Sequence, residues 1–248
     1  MRKYFYEIKR QDRNLNMRQY IYWIGPYRYN WHEELEIMLI LKGNVEMSCG
    51  GGSYSLQEDD LILIDSNVGH ASLARSEGSI AMVIHLNPEY LREYYSPIED
   101  YRFFGCTDET ARNSQEAKEI RRVMAVLITR MDTANPLERL RFERGLSQLL
   151  LLLFQLFPPR RIDRSEAVKT QKQEEMRGRI VRFVEENYRE RITLKELSRL
   201  CGYNATYLST WFKANIGLNF YDYLMRVRLR EATLELCSTD KTILEVAG

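Results

Sequence analysis

A chain of 248 residues can bury one large core or two modest ones. Hydrophobic residues make up 44% and charged residues 29%, an ordinary soluble composition, and a formal net charge of +1 excludes a bulk polyelectrolyte. Any nucleic-acid binding must therefore come from a local surface. The four cysteines, Cys49, Cys106, Cys201 and Cys237, are too far apart for a zinc ribbon or a redox pair, and they read as reduced thiols in a cytoplasmic protein. Residues 1–6 lack the apolar core of a signal peptide, and the apolar run from Leu149 to Phe154 is too short to span a bilayer. A cytoplasmic location with no membrane partner is expected.

From about Tyr20 to Leu86, short apolar stretches alternate with turns. Residues 34–41 form one such stretch, Lys42-Gly43-Asn44 a turn, Val45-Glu46-Met47 the next stretch, and Gly50-Gly51-Gly52 a hairpin signal. Tyr54-Ser55-Leu56 and residues 60–64 follow. This texture predicts an antiparallel barrel or sandwich, assigned to residues 15–90. From Gln115 the period changes to that of a helix carrying Ile120, Val123, Met124, Leu127 and Met131. A second helix starts near Pro136 and carries Leu140, Leu146, Leu149, Leu150, Leu153 and Leu156, until Pro158-Pro159 ends it. The helical segment, residues 112–157, either packs on the barrel or forms a homodimer interface. Residues 158–173 are polar and net basic without apolar periodicity, and read as a linker or a linker helix.

The last segment, residues 174–248, is helical. Met176, Ile180, Phe183, Val184 and Tyr188 form one stripe. Thr193-Leu194-Lys195-Glu196 is a capping box, with Ile192 and Leu197 in staple positions, Leu194, Leu197 and Leu200 as the buried face, and Gly202 as the stop. Asn204 is a good N-cap for a third helix closed by Gly217. On that helix Leu208, Trp211, Phe212 and Asn215 lie on one side, and Thr206, Ser209, Thr210 and Lys213 on the other. The arrangement is that of a helix-turn-helix, whose outward face would enter a major groove; a helical bundle with a merely solvated polar face has the same parts. A repeat favours the first reading: Thr242-Ile243-Leu244-Glu245-Val246-Ala247 repeats the capping box and its apolar spacing 49 residues later. Between the copies, Phe220, Tyr223, Leu224 and Val227 mark a connecting helix. The second copy is expected to be cut off within its first helix.

These residues carry a resemblance. Thr193-Leu194-x-Glu196-Leu197, Gly202-Tyr203-Asn204-x-x-Tyr207-Leu208-Ser209-x-x-Phe212-Lys213, Gly217, Tyr223, Arg228-Leu229-x-x-Ala232 and Ile243-x-Glu245-Val246-Ala247 resemble the DNA-binding domain of the AraC/XylS regulators. The resemblance implies base reading by Thr206, Ser209 and Thr210, with Asn204, Tyr207 and Lys213 completing a DNA-binding set on double-stranded promoter DNA. The family usually has Ser where this chain has Asn204, a change that preserves capping.

In the N-terminal part, His32-x-x-x-Glu36-x-x-x-x-x-x-Gly43 and Gly69-His70 resemble the cupin barrel, which such regulators carry as an effector domain. Asn30 stands where metal-binding cupins have their first histidine, leaving His32, Glu36 and His70 as three possible ligands. The preferred expectation is a metal-free, cofactor-free pocket for a small molecule, walled by Trp31, His32, Glu34, Glu36 and His70. The chain's 16 tyrosines and 3 tryptophans would suit a sugar-like ligand. The fold expected is therefore α+β and multi-domain, a cupin-like barrel with two packing helices and then an all-α unit. The function expected is that of an effector-responsive, homodimeric transcription regulator without catalytic residues. A metal-dependent cupin enzyme with a helical accessory domain, or a protein-interaction module, are the alternatives.

Overall fold

The computed structural model describes residues 10–12, 17–25, 28–30, 32–50, 52–129, 135–216, 218–239 and 241–247. Trp31, Met131 and Gly217, singled out above, lie outside the described residues, as do the side chains of Asn215 and Cys237. The strands are β1 (Arg10–Asp12), β2 (Met17–Trp23), β3 (Arg28–Asn30), β4 (Leu35–Lys42), β5 (Val45–Cys49), β6 (Gly52–Leu56), β7 (Leu61–Ile64), β8 (His70–Ala74), β9 (Ile80–Leu86), β10 (Tyr101–Arg102), β11 (Gly105–Cys106) and β12 (Arg160–Arg161). The helices are α1 (Glu109–Arg112), α2 (Gln115–Thr129), α3 (Pro136–Leu156), α4 (Arg164–Asn187), α5 (Leu194–Cys201), α6 (Ala205–Ile216), α7 (Phe220–Ser238) and α8 (Ile243–Ala247).

The N-terminal strands form two antiparallel sheets, one of six strands in the order β1-β2-β9-β4-β7-β11 and one of four in the order β3-β8-β5-β6. The sequence predicts a barrel or a sandwich, and its cupin resemblance a barrel; among the described residues these strands pair as two separate sheets. Alternating side chains look the same in either arrangement, so only the pairing distinguishes them. Strand β4 explains why its sequence does not alternate. Met38 and Ile40, with Ile62, Ile64, Ala81 and Val83, pack against Val45, Met47 and Leu56 of the second sheet. Leu35, Ile37 and Leu39, with Leu61, Leu63, Met82, Ile84 and Leu86, pack instead under α2 and α3. A strand covered on both faces reads as a continuous apolar run.

Helices α2 and α3 bury Ile120, Met124, Leu127, Phe142, Leu146, Leu149, Leu150 and Leu153 against that outer sheet face. Asn135 caps α3 by accepting from Leu137 N at 3.0 Å, and Pro136 occupies the first helical position, where no amide donor is needed. Leu140, placed above in the apolar stripe, is exposed, together with Leu137 and Leu151. It lies one helical face away from the Leu146–Leu153 contact, so the helix is apolar on two sides.

Much of the stretch read as a linker is ordered. Arg160–Arg161 pairs with Tyr101–Arg102, and α4 starts at Arg164. Once Ile180 and Val184 are packed, extending the helix backwards through Glu, Lys, Gln and Ala costs little, although those residues carry no apolar stripe. Ile180, Val184, Ile192, Leu197, Leu208, Trp211, Phe212, Phe220, Tyr223, Leu224 and Val227 share the C-terminal core. Leu200 was expected on the buried face of α5 and is instead 39% exposed. The core-facing stripe runs through Leu194, Leu197, Ser198 and Cys201, at helical spacings that leave Leu200 outside.

Candidate functional site

The chain has 3 histidines, and all of them converge on Glu36. The register explains how. Arg18 in β2 pairs with His85 in β9, and His85 pairs with Glu36 in β4, so three adjacent strands present these side chains in one row on the face towards the second sheet. His70 opens β8 in that second sheet, paired with Asn30 and Cys49. His32 and Glu34 lie in the approach to β4. The site thus sits at one end of the space between the sheets.

Glu36 Oε2 is 2.8 Å from His85 Nε2, 3.0 Å from His32 Nε2 and 3.4 Å from His70 Nε2. Glu36, His70 and His85 are buried, whereas His32 is partly open to solvent. His32 Nδ1 donates to Glu34 O and His70 Nδ1 to Val68 O, each at 3.0 Å. His85 is flanked by the Tyr20 hydroxyl at 3.0 Å from Nε2 and the Arg18 guanidinium at 3.4 Å from Nδ1. Arg18 also pairs with Glu34. The rings of His32 and His85 are 4.1 Å apart, and those of His32 and His70 5.1 Å.

Burial pushes the Glu36 carboxyl up, but the charge of His70 and hydrogen bonds from His32, His70 and His85 outweigh it, holding Glu36 well below the usual carboxylate range. For His85 burial wins and lowers the imidazole, against the hydrogen bond and charge of Glu36, which raise it. The chemistry available is that of an ionised carboxylate in a ring of imidazoles. Two ligand groups with atoms mutually within 4.8 Å follow among the described residues, His32–Glu36–His70 and His32–Glu34–His85.

Of the expected pocket residues, His32, Glu36 and His70 come together, and Glu34 faces Arg18 at the edge. His85, Arg18 and Tyr20 were missed. The signal for His85 was a lone histidine in the apolar run Ile80-Ala81-Met82-Val83-Ile84-His85-Leu86, on the parity opposite to Ile84.

The second candidate surface lies on α6. The capping box of α5 has Thr193 N donating to Glu196 Oε2 at 2.7 Å and Glu196 N to Thr193 Oγ1 at 3.3 Å. The repeat at α8 has the same bonds, Thr242 N to Glu245 Oε2 at 2.7 Å and Glu245 N to Thr242 Oγ1 at 3.4 Å. Gly202 ends α5 at a φ of 73°, a conformation that costs any residue with a Cβ, and the turn leads to Asn204, whose Oδ1 accepts from Tyr207 N at 2.7 Å. Leu208, Trp211 and Phe212 are buried, while Thr206, Tyr207, Ser209, Thr210 and Lys213 are exposed. Asn204 is occupied as a cap, and the Thr210 hydroxyl donates to Thr206 O at 3.3 Å. The rings of Tyr203 and Tyr207 stack at 4.8 Å beside this face. Arg179 donates to Leu200 O at 2.6 Å, and Arg228 to Tyr188 O at 2.7 Å, tying α4 to α5 and α7 through the carbonyls that helix ends leave open.

Residues 20–154, more than half of the chain, match the AraC-like ligand binding domain. The chain belongs to that family. The chain is 24% identical over 216 residues to an uncharacterized HTH-type transcriptional regulator of Staphylococcus aureus (strain COL), covering 86% of this chain and 28% of that protein. It is also 24% identical over 234 residues to the uncharacterized HTH-type transcriptional regulator YdeC of Bacillus subtilis (strain 168), covering 90% and 77%. The chain thus spans well under half the length of its staphylococcal relative. Among solved structures, the AraC-like transcriptional activator CuxR aligns with a TM-score of 0.43 at 11% identity, covering 89% of this chain and 78% of that one. A cupin-2 domain protein from Shewanella frigidimarina aligns with a TM-score of 0.30 at 15% identity, covering 35% and 84%. No helix among the described residues is long and apolar enough to cross a membrane.

Proposed function

We propose that the chain is a cytoplasmic transcription regulator in which the AraC-like domain senses a small molecule and the C-terminal helices bind promoter DNA. The observation that carries the DNA-binding half is the sorted third helix, with an apolar side in the core and Thr206, Tyr207, Ser209, Thr210 and Lys213 facing out. The repeated capping box supports a duplicated helix-turn-helix. In this reading Thr206, Ser209 and Thr210 meet base edges, Lys213 meets a phosphate, and Asn204 and Tyr207 set the start of the recognition helix. The functional units follow the sequence divisions, 15–90 for sensing, 112–157 for packing and dimerisation, and 174–248 for DNA, with 158–173 as the connection. The relatives' names, HTH-type transcriptional regulators, agree with it.

The sensing half rests on the polar cluster at the mouth of the two sheets, where His32, Glu34, Glu36 and His70 would meet a polar, sugar-like effector. The exposed leucines of α3, Leu137, Leu140 and Leu151, provide the apolar stripe for a homodimer. A shift in how the two halves are disposed, driven by differential affinity for the effector, would couple sensing to DNA.

The test uses the full chain and a randomised duplex library. Thr210→Ala is expected to change the selected sequence, whereas Lys213→Ala weakens all duplexes alike and lowers the salt slope by about one. Binding unchanged by both substitutions would remove α6 as the recognition helix, and with it this assignment of the DNA surface.

A further inference from the structure

We infer that the short ladder between β10 and β12 is a latch on the start of α4, and that the segment Asp65–Ala71 couples this latch to the cluster around Glu36. The inference rests on the proposed sensing role for what the latch serves; the latch itself is tested without DNA.

The segment is fastened to the cluster at several points. It leaves β7 directly after Ile64, the strand partner of Glu36. Ser66 Oγ donates to Glu33 O at 2.5 Å and Asn67 N to His32 O at 3.0 Å, which ties the turn to the stretch carrying His32 and Glu34. Within the turn, Asp65 Oδ1 accepts from Ser66 N at 2.9 Å and Val68 O from His70 Nδ1 at 3.0 Å. Asn67 holds a φ of 61°, a conformation that Asn reaches more readily than most residues with a Cβ. Bonds this closely spaced make the segment one unit, so a shift of His32 or His70 is felt at Asp65.

The same segment reaches the C-terminal half at both of its ends. Ala71 is buried in one apolar cluster with Ile180, Val181 and Val184 of α4. Asp65 Oδ2 lies 3.8 Å from Arg102 Nε in β10, and β10 pairs with β12, which only Ile162 and Asp163 separate from α4. Ile162 is buried and its N donates to Asp100 O at 2.8 Å. The ladder has two residue pairs, and its register sets Arg160 opposite Arg102, where like charges repel. Asp65 beside Arg102, and Asp100 at 3.6 Å from Arg161, supply counter-charge. Asp100 belongs to the turn that leads into β10, whereas Asp65 belongs to the segment bound to the cluster. Withdrawing Asp65 leaves Arg102 facing Arg160 without that carboxylate, and the ladder that holds the start of α4 opens. An effector that fits the withdrawn position better shifts this balance by its differential affinity, and a two-position element biased from both sides is what coupling between sites requires.

Amide hydrogen exchange in the full chain, resolved by NMR, reads the latch at Ile162 and the sheet core at Ile40, whose N donates to Asp60 O. Asp65→Asn keeps the side chain's shape but removes its charge, so Ile162 should exchange about fivefold faster with Ile40 unchanged. Adding Arg160→Glu, which sets opposite charges across the ladder, should restore slow exchange. Ser66→Ala and His70→Ala loosen the segment from the cluster's side and should also speed Ile162. Glu46→Gln, at the exposed pair with Arg75 on the second sheet, should leave Ile162 unchanged. Unchanged exchange in Asp65→Asn, or no rescue by Arg160→Glu, would overturn the latch. Equal acceleration at Ile162 and Ile40 would overturn it as well, because the opening would then be global. Ile162 indifferent to Ser66→Ala and His70→Ala, or equally sensitive to Glu46→Gln, would overturn the coupling to the cluster. None of these readings involves Thr210, Lys213 or a duplex, so failure of the latch and failure of the DNA assignment are separate results.

Discussion

Glu36 is the residue on which the sandwich chemistry turns, and its surroundings make a pH prediction. The folded value of His85 lies below that of free imidazole, about 6.5, so folded protein binds fewer protons there than unfolded protein. Stability from this group is complete above that value and is lost as pH falls through it towards the folded value. Glu36 is depressed too, and its contribution is present above about 4.3, the ordinary carboxylate value, and is lost as pH falls through its lower folded value. Urea midpoints should therefore decline from about pH 6.5 downwards. His85→Gln should remove the upper part of that decline, and Glu36→Gln the lower part. Midpoints flat from pH 7 to 4 in the wild type would contradict this account.

At the scale of single elements, two chemically identical caps should differ in consequence. The Thr193 box opens a helix whose Leu197 is fully buried in the C-terminal core, so Thr193→Ala should lower global stability by about 1 kcal/mol. The Thr242 box opens the short α8, whose Ile243 and Leu244 are 74% and 86% exposed, so Thr242→Ala should leave global unfolding nearly unchanged and only fray that helix. Paired denaturation and amide-exchange measurements separate the two; a similar global loss from both would show that α8 is part of the cooperative core. Gly105 in β11 makes a third case. A Cβ there would stand 2.1 Å from the Phe157 ring that follows α3, so Gly105→Ala should cost about 1–3 kcal/mol through overpacking. Calorimetry giving wild-type stability would mean that the β11–Phe157 contact yields easily.

For the whole molecule, a net charge of +1 means that DNA affinity, under the proposed function, must come from local contacts and not from a general field. The apolar α3 is the other whole-molecule feature. One face covers the outer side of the six-stranded sheet, while Leu137, Leu140 and Leu151 remain exposed on another. If that second face is the dimer contact, Leu140→Glu should shift sedimentation from dimer to monomer without changing the circular dichroism spectrum. A wild-type chain that sediments as a monomer at tens of micromolar would remove the dimer from the scheme.

The sequence by itself determined what local chemistry controls: both capping boxes, the stop at Gly202, the cap at Asn204, the buried side of α6 and the positions of α2 and α3. Each depends on residues within about a turn of one another, where spacing alone decides which groups meet. It also singled out His32, Glu36 and His70, through the resemblance to the cupin pattern, and the structure brings these three side chains together. Only the tertiary structure decided the rest. That β4 is covered on both faces, that the strands pair as two sheets, and that Leu200 turns outward depend on partners remote in the chain. His85 shows this most directly. It stands 49 residues from Glu36, and nothing in that separation marks a contact until the antiparallel register of β9 and β4 sets the two directly opposite each other.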